Sequence, residues 1–157
     1  LVLSTIHTNN ALETIGRMMD MGAEPYLIGG VIVGILAQRL VRLNCGKCRE
    51  AYHPTPAELE QLRITQQDLA SATIARGKGC PECRGTGFKG RVGVFELILG
   101  TPELRSLIAS QASLPELAEA ARNQGYRTMV EDGRAKVLSG WTTPEEVIRA
   151  VYTQAIE

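Results

Sequence analysis

The sequence Cys45-Gly46-Lys47-Cys48, with its counterpart Cys80-Pro81-Glu82-Cys83, is the stretch that decides how this chain is organised. A C-x-x-C pair places two sulfur atoms close enough to bind one ion, and two such pairs complete a tetrahedral shell of four thiolates. The chain has four cysteines, so none is left over. The spacing therefore predicts a single tetracysteine zinc site. Its ligands would be Cys45, Cys48, Cys80 and Cys83.

Basic residues flank both pairs, and they favour thiolate over thiol. A zinc ion with four thiolates carries a net charge of about 2−, which nearby cations stabilise. The insert between the pairs, residues 49 to 79, is longer than in most zinc ribbons. The longer loop costs only about 0.5 kcal/mol of closure entropy, whereas a structural zinc contributes about 10–16 kcal/mol. The flanking cations are Lys47, Arg49, Lys78 and Arg84.

The cysteines admit three other interpretations. Four reduced, buried thiols without metal are one. A thioredoxin-like redox pair is another, but neither C-x-x-C opens a convincing helix after a strand. The third is the zinc repeat of J-domain co-chaperones, which Cys80–Gly87 resembles. Those proteins repeat the element, whereas Cys48 is followed by Arg49-Glu50-Ala51 without glycines. Zinc in one tetracysteine site remains the favoured prediction.

Charge and hydropathy exclude several classes of protein. Lysine plus arginine equals aspartate plus glutamate at 17 each, so no basic field indicates a nucleic-acid partner. The longest apolar run, Tyr26–Ala37, is too short to span a bilayer, and no signal peptide is recognised. Its glycines suggest a helix packed closely against protein. Cysteines that serve as metal ligands must stay reduced, which predicts a cytosolic protein.

The first 44 residues predict part of an open α/β sheet. Leu1–Ile6 is typical of a buried strand, and we expect the chain to begin inside a domain. Asn10 is a candidate N-cap for a helix to about Met21, and Pro25 can open a second helix to about Leu40. In open α/β sheets ligands bind beyond the carboxyl ends of strands, which is where His7 would lie.

The rest of the chain predicts a zinc module followed by helices. Within residues 45–90, Thr55 and Thr65 begin short capped helices; Phe88–Gly90 is a predicted turn and Arg91–Leu99 a predicted strand. Capping boxes at Ser113 and Thr143 mark later helices. Apolar residues with helical spacing there indicate core rather than a cofactor site. The predicted helices cover about 102–110, 114–123, 128–139 and 144–154.

Three stretches together resemble one known family. Leu3–Ala11 resembles the histidine box of the secretion-superfamily ATPases, and Ala37–Arg42 resembles the stretch that leaves their ATPase core. Gly79–Glu96 resembles the second half of their metal-binding subdomain. The chain is thus similar to the C-terminal part of a type II secretion or type IV pilus assembly ATPase. Asn10 departs from this pattern, because the histidine box commonly has aspartate there.

The resemblance implies a fold class and a division of the chain. The fold would be α/β: the C-terminal portion of a RecA-like P-loop ATPase core, a tetracysteine zinc-binding subdomain and a small helical bundle. These parts would cover residues 1–44, 45–90 and 91–157. Retraction ATPases of the superfamily lack the cysteine module, so a secretion or assembly motor is the closer match.

The resemblance also implies site residues and partners. His7 would lie near the γ-phosphate of ATP as a catalytic and nucleotide-sensing residue, and Arg39 would contact the nucleotide or a neighbouring part of the ring. The alternatives are a histidine satisfied by its own loop and a solvent-facing arginine at a helix end. The parent would be a homo-hexamer that uses ATP and magnesium. It would act in the cytoplasm at the bacterial inner membrane, with a membrane platform protein and cytoplasmic adaptors as partners.

Phosphoryl transfer needs a phosphate-binding loop, and none is found in these residues. No G-x-x-x-x-G-K-[ST] string occurs, and no apolar strand ends in an acidic pair suited to magnesium. We therefore expect the chain alone to hydrolyse no ATP. Two rival hypotheses remain: a free-standing, zinc-stapled interaction module, and a redox switch that uses the C-x-x-C pairs.

Overall fold

The computed structural model describes residues 1–152, which combine helices with two small sheets. β1 pairs with β4 in one two-stranded sheet and β2 with β3 in the other. The elements follow in the order α1 (Ala11–Asp20), α2 (Pro25–Val31), β1 (Gly34–Asn44), β2 (Arg49–Ala51), α3 (Pro56–Gln61), α4 (Gln66–Ala70), β3 (Ala75–Gly77), a 3₁₀ turn (Pro81–Cys83), β4 (Phe88–Leu99), α5 (Pro102–Ala109), α6 (Leu114–Asn123), α7 (Met129–Leu138) and α8 (Pro144–Tyr152).

Helix α1 begins and ends where local sequence signals place it. Asn10 has an extended backbone, and its side-chain oxygen accepts a hydrogen bond of 2.8 Å from the Glu13 N–H. This satisfies one of the unpaired N–H groups of the first turn. Met21 caps the other end, and Gly22 follows with φ of +91°, a conformation that favours glycine. The predicted helix is confirmed.

The prediction of one helix from Pro25 to Leu40 is wrong. Proline opens α2 as expected, but the helix ends at Val31 and strand β1 begins at Gly34. The run Val31-Ile32-Val33 disfavours continuing the helix, because β-branched side chains lose rotamer freedom there, and the residues that follow pair with β4. Exposed positions alternate with partly buried ones along most of β1, as expected for period-2 structure.

The prediction of a buried strand at Leu1–Ile6 is also wrong. These residues form neither helix nor strand, and Leu1, Val2 and Leu3 are at least 87% exposed. A strand requires a neighbouring strand to take its backbone hydrogen bonds. Within the described residues neither of the two small sheets includes this segment. The open α/β sheet therefore stays a prediction.

The later elements follow their sequence signals closely. Helices α5, α6 and α7 lie within a residue of the predicted bounds; α8 is described to Tyr152, so the last two predicted residues, 153 and 154, lie outside the described part. The Ser113 capping box is formed, and both short helices of the zinc module have one. The predicted turn Phe88–Gly90 is instead the start of β4, which extends the expected strand by three residues.

The chain forms two compact units, each with its own apolar core. Unit 1 comprises Leu1–Ala37 and Glu96–Arg127; unit 2 comprises Gln38–Phe95 and Thr128–Glu157, described through Tyr152. The three-part division at residues 44 and 90 stays a prediction. The unit 1 core is built on Ile15, Ile28, Ile98, Leu104, Ile108 and Leu117, and the unit 2 core on Val41, Leu62, Ile64, Ile74, Val94, Val137 and Val147.

Membrane insertion of a helix finds no support in the elements described. None of the helices within residues 1–152 combines the length and the apolar composition that crossing a bilayer requires.

Candidate metal centre and histidine segment

The four cysteines of unit 2 converge on one point. Their sulfur atoms all lie within 4.8 Å of one another, and all four thiols are free rather than disulfide-bonded. The Sγ–Sγ distances are 3.9 Å for Cys45–Cys80, 3.8 Å for Cys48–Cys83 and 3.7 Å for Cys80–Cys83. Four thiolates around zinc at about 2.3 Å would be about 3.8 Å apart. The arrangement fits a tetrahedral metal ion.

Two similar turns position the sulfur atoms. In the first, the N–H groups of Cys48 and Arg49 donate to the Cys45 carbonyl, at 3.2 and 3.0 Å. In the second, the N–H groups of Cys83 and Gly85 donate to the Cys80 carbonyl, at 3.2 and 2.9 Å. Each turn thus folds back on its first cysteine and presents both thiols on the same side. The C-x-x-C spacing determines this geometry locally.

The long insert between the pairs does not hold them apart, because it is folded. Strands β2 and β3 pair antiparallel, with Arg49 opposite Gly77, so residues adjacent to the two cysteine pairs meet across the ladder. The Lys78 N–H donates to the Cys48 carbonyl at 3.1 Å, next to this pairing. The hydrogen bonds between β2 and β3 therefore offset part of the entropy cost of closing this long loop.

Two glycines allow the backbone after the second cysteine turn to pack directly against strand β3. A Cβ atom added to Gly77 would lie 2.0 Å from the Gly87 carbonyl oxygen, and one added to Gly87 would lie 2.3 Å from the Gly77 carbonyl oxygen. No other residue type fits this close backbone approach. The same approach lets the Cys45 N–H donate to the Gly87 carbonyl at 2.8 Å, which joins the two cysteine turns.

Backbone donors make the thiols unequal. Burial raises the pKa of Cys83, but the N–H groups of Cys80 and Gly87, each 3.2 Å from its sulfur, outweigh burial and lower that pKa to about 6. Burial raises the pKa of Cys48 to about 12 despite a backbone N–H from Gly79. N–H groups aimed at sulfur are typical of metal–thiolate sites.

Two lysines near the site are paired with carboxylates. Lys89 donates to Glu82 at 2.6 Å; this bond raises the pKa of Lys89, and the fields of Cys45 and Cys80 add to the increase. Lys78, one of the cations predicted to stabilise the thiolates, lies 3.5 Å from Glu50. Sequence reasoning missed Lys89, which lies in the string Phe88-Lys89-Gly90 at the start of β4.

The histidine segment, residues 7–10, belongs to unit 1 and lies immediately before α1. His7 is exposed, and the residues after it are fixed by local bonds: the Thr8 and Thr14 hydroxyls lie 2.8 Å apart. Glu96, on strand β4, is 3% exposed, and its carboxylate accepts a hydrogen bond from the Ala11 N–H at the first residue of the helix. A carboxylate there satisfies an unpaired donor and complements the helix dipole.

Glu96 is a residue that sequence analysis missed. The signal was present, because Val94, Glu96 and Ile98 occupy the inward-facing positions of an alternating strand, where a carboxylate is unexpected. Arg39, the other predicted nucleotide contact, is half-buried on β1, and its guanidinium donates to the Gln38 carbonyl at 3.2 Å. Arg39 belongs to unit 2 and His7 to unit 1.

Comparison with known proteins gives a family match over nearly all of the described chain. The model of the family described as "Type II/IV secretion system protein" matches residues 1–149. The chain is 45% identical over 149 residues to the type II secretion system protein E of Pseudomonas aeruginosa, covering 95% of this chain and 29% of that protein. It is 41% identical over 148 residues to the type IV pilus assembly ATPase PilB of Thermus thermophilus, covering 94% of this chain and 17% of that protein.

A third relative gives the same picture. The type IV pilus assembly ATPase TfpB of Acinetobacter baylyi is 37% identical over 151 residues, covering 96% of this chain and 26% of that protein. The chain thus spans less than a third of the length of each of these relatives. Because the family match covers nearly all of the described residues, histidine segment and four thiols included, the chain belongs to the type II/IV secretion system protein family.

Proposed function

We propose that this chain is the C-terminal part of a motor ATPase that powers type II protein secretion or type IV pilus assembly. The observation that carries the proposal is the family match over residues 1–149, together with relatives named as secretion protein E and pilus assembly ATPases. Neutral net charge gives no reason to invoke nucleic acid as a partner.

The parent protein in this proposal has a RecA-like core and acts as a homo-hexamer with ATP and magnesium. It works in the cytoplasm at the bacterial inner membrane, where ATP turnover changes its conformation. Cytoplasmic adaptors and a membrane platform protein receive that change. The names of the relatives support membership of such a machine.

His7 is the proposed catalytic and nucleotide-sensing residue of this chain. Its imidazole is exposed and has nitrogen atoms that can hydrogen-bond a phosphate oxygen. The residues that follow His7 are held in place by the Asn10 cap and by the bond from the Ala11 N–H to Glu96. The backbone next to the imidazole therefore has a defined conformation. Arg39 is the proposed second contact, whose guanidinium can bind phosphate in a forked geometry.

A structural zinc ion is the proposed occupant of the cysteine site, with Cys45, Cys48, Cys80 and Cys83 as ligands. The spacing of the four sulfur atoms and the N–H donors on Cys83 support this choice. When bound, zinc would supply a staple rather than catalysis, because four thiolates fill its tetrahedral shell and leave no position for water. Metal content per chain, measured by mass spectrometry, is expected to be one zinc.

The proposed nucleotide role of His7 is tested in the full-length parent protein, by substituting each of the two histidines of this chain in turn. His7→Ala should lower kcat for ATP hydrolysis by about 10²-fold, the usual effect of removing one preorganised hydrogen-bond donor from a transition state. His53→Ala is the matched control, since His53 is the other histidine and is also exposed. Equal activity of the two variants would remove His7 from the mechanism.

The 157-residue chain alone should show no magnesium-dependent ATP hydrolysis, because its sequence has no phosphate-binding loop. Activity in the purified chain would contradict this part of the proposal. A longer protein that contained the chain but neither bound nor hydrolysed ATP would instead support the rival hypothesis of a zinc-stapled interaction module.

A further inference from the structure

Unit 2 has a second polar feature, a cleft beside strand β4 that is lined by arginines. Its volume is about 610 Å³, and none of the described residues that line it is acidic. Three guanidinium-bearing side chains reach it, and all three residues are exposed. The lining residues are Leu40, Arg42, Thr86, Phe88, Gly90, Arg91 and Arg149.

A buried carboxylate holds two of these arginines in place. The Glu146 side chain is 1% exposed; Nη2 of Arg42 donates to it at 2.6 Å, and Nη2 of Arg149 donates to both of its oxygens at 2.8 and 3.0 Å. The Arg42 backbone N–H adds a bond of 3.0 Å. The Arg42 guanidinium also stacks over the Phe88 ring at 4.2 Å. Two forks are thus oriented before any ligand arrives.

The charges of the cleft do not cancel. Three arginines face the single charge of Glu146, and both paired arginines bind Glu146 through Nη2. Among the described residues, Nε and Nη1 of these two arginines have no other bonded partner, so they can donate to a ligand. Glu145 also acts on Arg42 through its field, but it is paired with Arg76 at 3.0 Å. The cleft is therefore a cationic concavity in a chain whose net charge is zero.

We propose that this cleft binds a phosphate group, with Arg42, Arg91 and Arg149 as its ligands and Glu146 as the residue that positions two of them. Guanidinium forks match the oxygens of phosphate, and excess positive charge favours a dianion over a carboxylate. Leu40 and Phe88 give the cleft an apolar wall for the carbon part of a phosphoester. The phosphate can come from a soluble phosphoanion or a phospholipid headgroup.

Inorganic phosphate is the first probe, titrated into the full 157-residue chain and followed by NMR. We expect saturable shifts of the arginine N–H signals and of the Thr86–Arg91 amides. Sodium chloride at matched ionic strength is the control for screening and should not reproduce them. Identical shifts with chloride would overturn the proposal.

The matched variants are Arg91→Gln and Arg17→Gln. Each removes one exposed positive charge, but Arg17 lies on helix α1 in unit 1. We expect Arg91→Gln to weaken phosphate binding about tenfold, as for loss of a hydrogen bond to a charged group, and Arg17→Gln to leave it unchanged. Arg91→Lys, which keeps the charge but loses the fork, should fall between them. Equal weakening by the two glutamine variants would show that phosphate responds only to the overall charge of the chain, and it would overturn the proposal.

Vesicles distinguish the two sources of the phosphate. Sedimentation with phosphatidylglycerol vesicles, but not with phosphatidylcholine vesicles, and its loss in Arg91→Gln would identify a lipid headgroup. Phosphate binding without sedimentation would identify a soluble phosphoanion. Both results support the cleft as a phosphate site. Absence of both, in a chain whose NMR spectrum is that of the folded protein, would overturn it.

Discussion

Glu146 shows how one residue can serve the fold and a surface site together. Thr143 begins α8 with its hydroxyl accepting from the Glu146 N–H at 3.4 Å, which is half of the capping box that the sequence predicts. The Glu146 carboxylate binds Arg42 and Arg149, so it ties the last helix to strand β1 over a separation of 104 residues. Burial raises the pKa of Glu146, but its arginine donors outweigh burial and lower that pKa.

We expect Glu146→Gln to lower the free energy of unfolding of unit 2 by about 1–3 kcal/mol at neutral pH, because it gives the Arg42 and Arg149 donors a weaker, uncharged acceptor. The pKa of Glu146 is depressed in the folded state, so its contribution is complete above its ordinary value of 4.5 and is lost as pH falls through the folded value. Urea unfolding should therefore show the difference between wild type and variant shrinking in acid.

Glu145→Gln is the control for that experiment. Glu145 is adjacent, has a side chain that is 66% exposed, and pairs with Arg76 on the surface. Exposed ion pairs contribute little, so this variant should unfold like the wild type across the same pH range. A pH dependence shared by both variants would show that general charge, rather than the buried carboxylate, is responsible.

Helix α7 shows how packing overrides local propensity. Gly133 lies in its interior, where glycine costs about 1 kcal/mol relative to alanine in a free helix. A Cβ atom there would lie 2.4 Å from Cγ1 of Val147, which is fully buried on α8. The glycine is therefore a contact residue between two helices. Gly16, in the interior of α1, has no such role, because a Cβ atom added to it would meet none of the described neighbours within 4 Å.

These two glycines give opposite predictions for the same substitution. Gly133→Ala should destabilise unit 2 by about 1–3 kcal/mol through overpacking, whereas Gly16→Ala should stabilise unit 1 by about 0.5–1 kcal/mol through helix propensity. Native-state hydrogen exchange measures each unit separately. Combining Gly133→Ala with Val147→Ala should restore part of the stability that Gly133→Ala removes, because the smaller side chain makes room for the added Cβ. A stabilising Gly133→Ala would mean that α7 and α8 are packed less closely.

At the scale of the whole molecule, the two separate cores predict which parts of the chain lose stability when the cysteine site is perturbed. The cysteine cluster and the core that contains Val137 and Val147 both belong to unit 2, whereas the core around Ile15 and Leu104 belongs to unit 1. Stability is not uniform in such a chain, and a perturbation is felt first in the unit that contains it.

Cys80→Ser, which leaves three thiolates, should therefore loosen residues 45–90 most. Helices α7 and α8 should lose more hydrogen-exchange protection than α5 and α6, because only the former share a unit with the cysteine site. Chelation of the proposed zinc ion in the wild-type chain should reproduce the pattern, and added zinc should reverse it. Equal loss of protection across residues 1–152 would contradict this separation of the units.

The sequence by itself determined what depends on near neighbours. The cysteine turns, the caps at Asn10, Thr55, Thr65 and Ser113, and the bounds of α5 and α6 all follow from signals within a few residues. Such hydrogen bonds close within one turn, so their geometry is already implied by the spacing of residue types. The family was also identifiable from strings of this length.

Only the tertiary structure decided features that depend on distant partners. The Ala11–Glu96 and Arg42–Glu146 bonds join residues 85 and 104 positions apart, and no local signal specifies them. The first six residues have an apolar pattern typical of a strand, yet the pattern cannot supply the neighbouring strand. Residues 34–40 form a strand rather than a helix because β1 has β4 to pair with. Local sequence sets what a segment can form, whereas its hydrogen-bond partners decide which form has the lowest free energy.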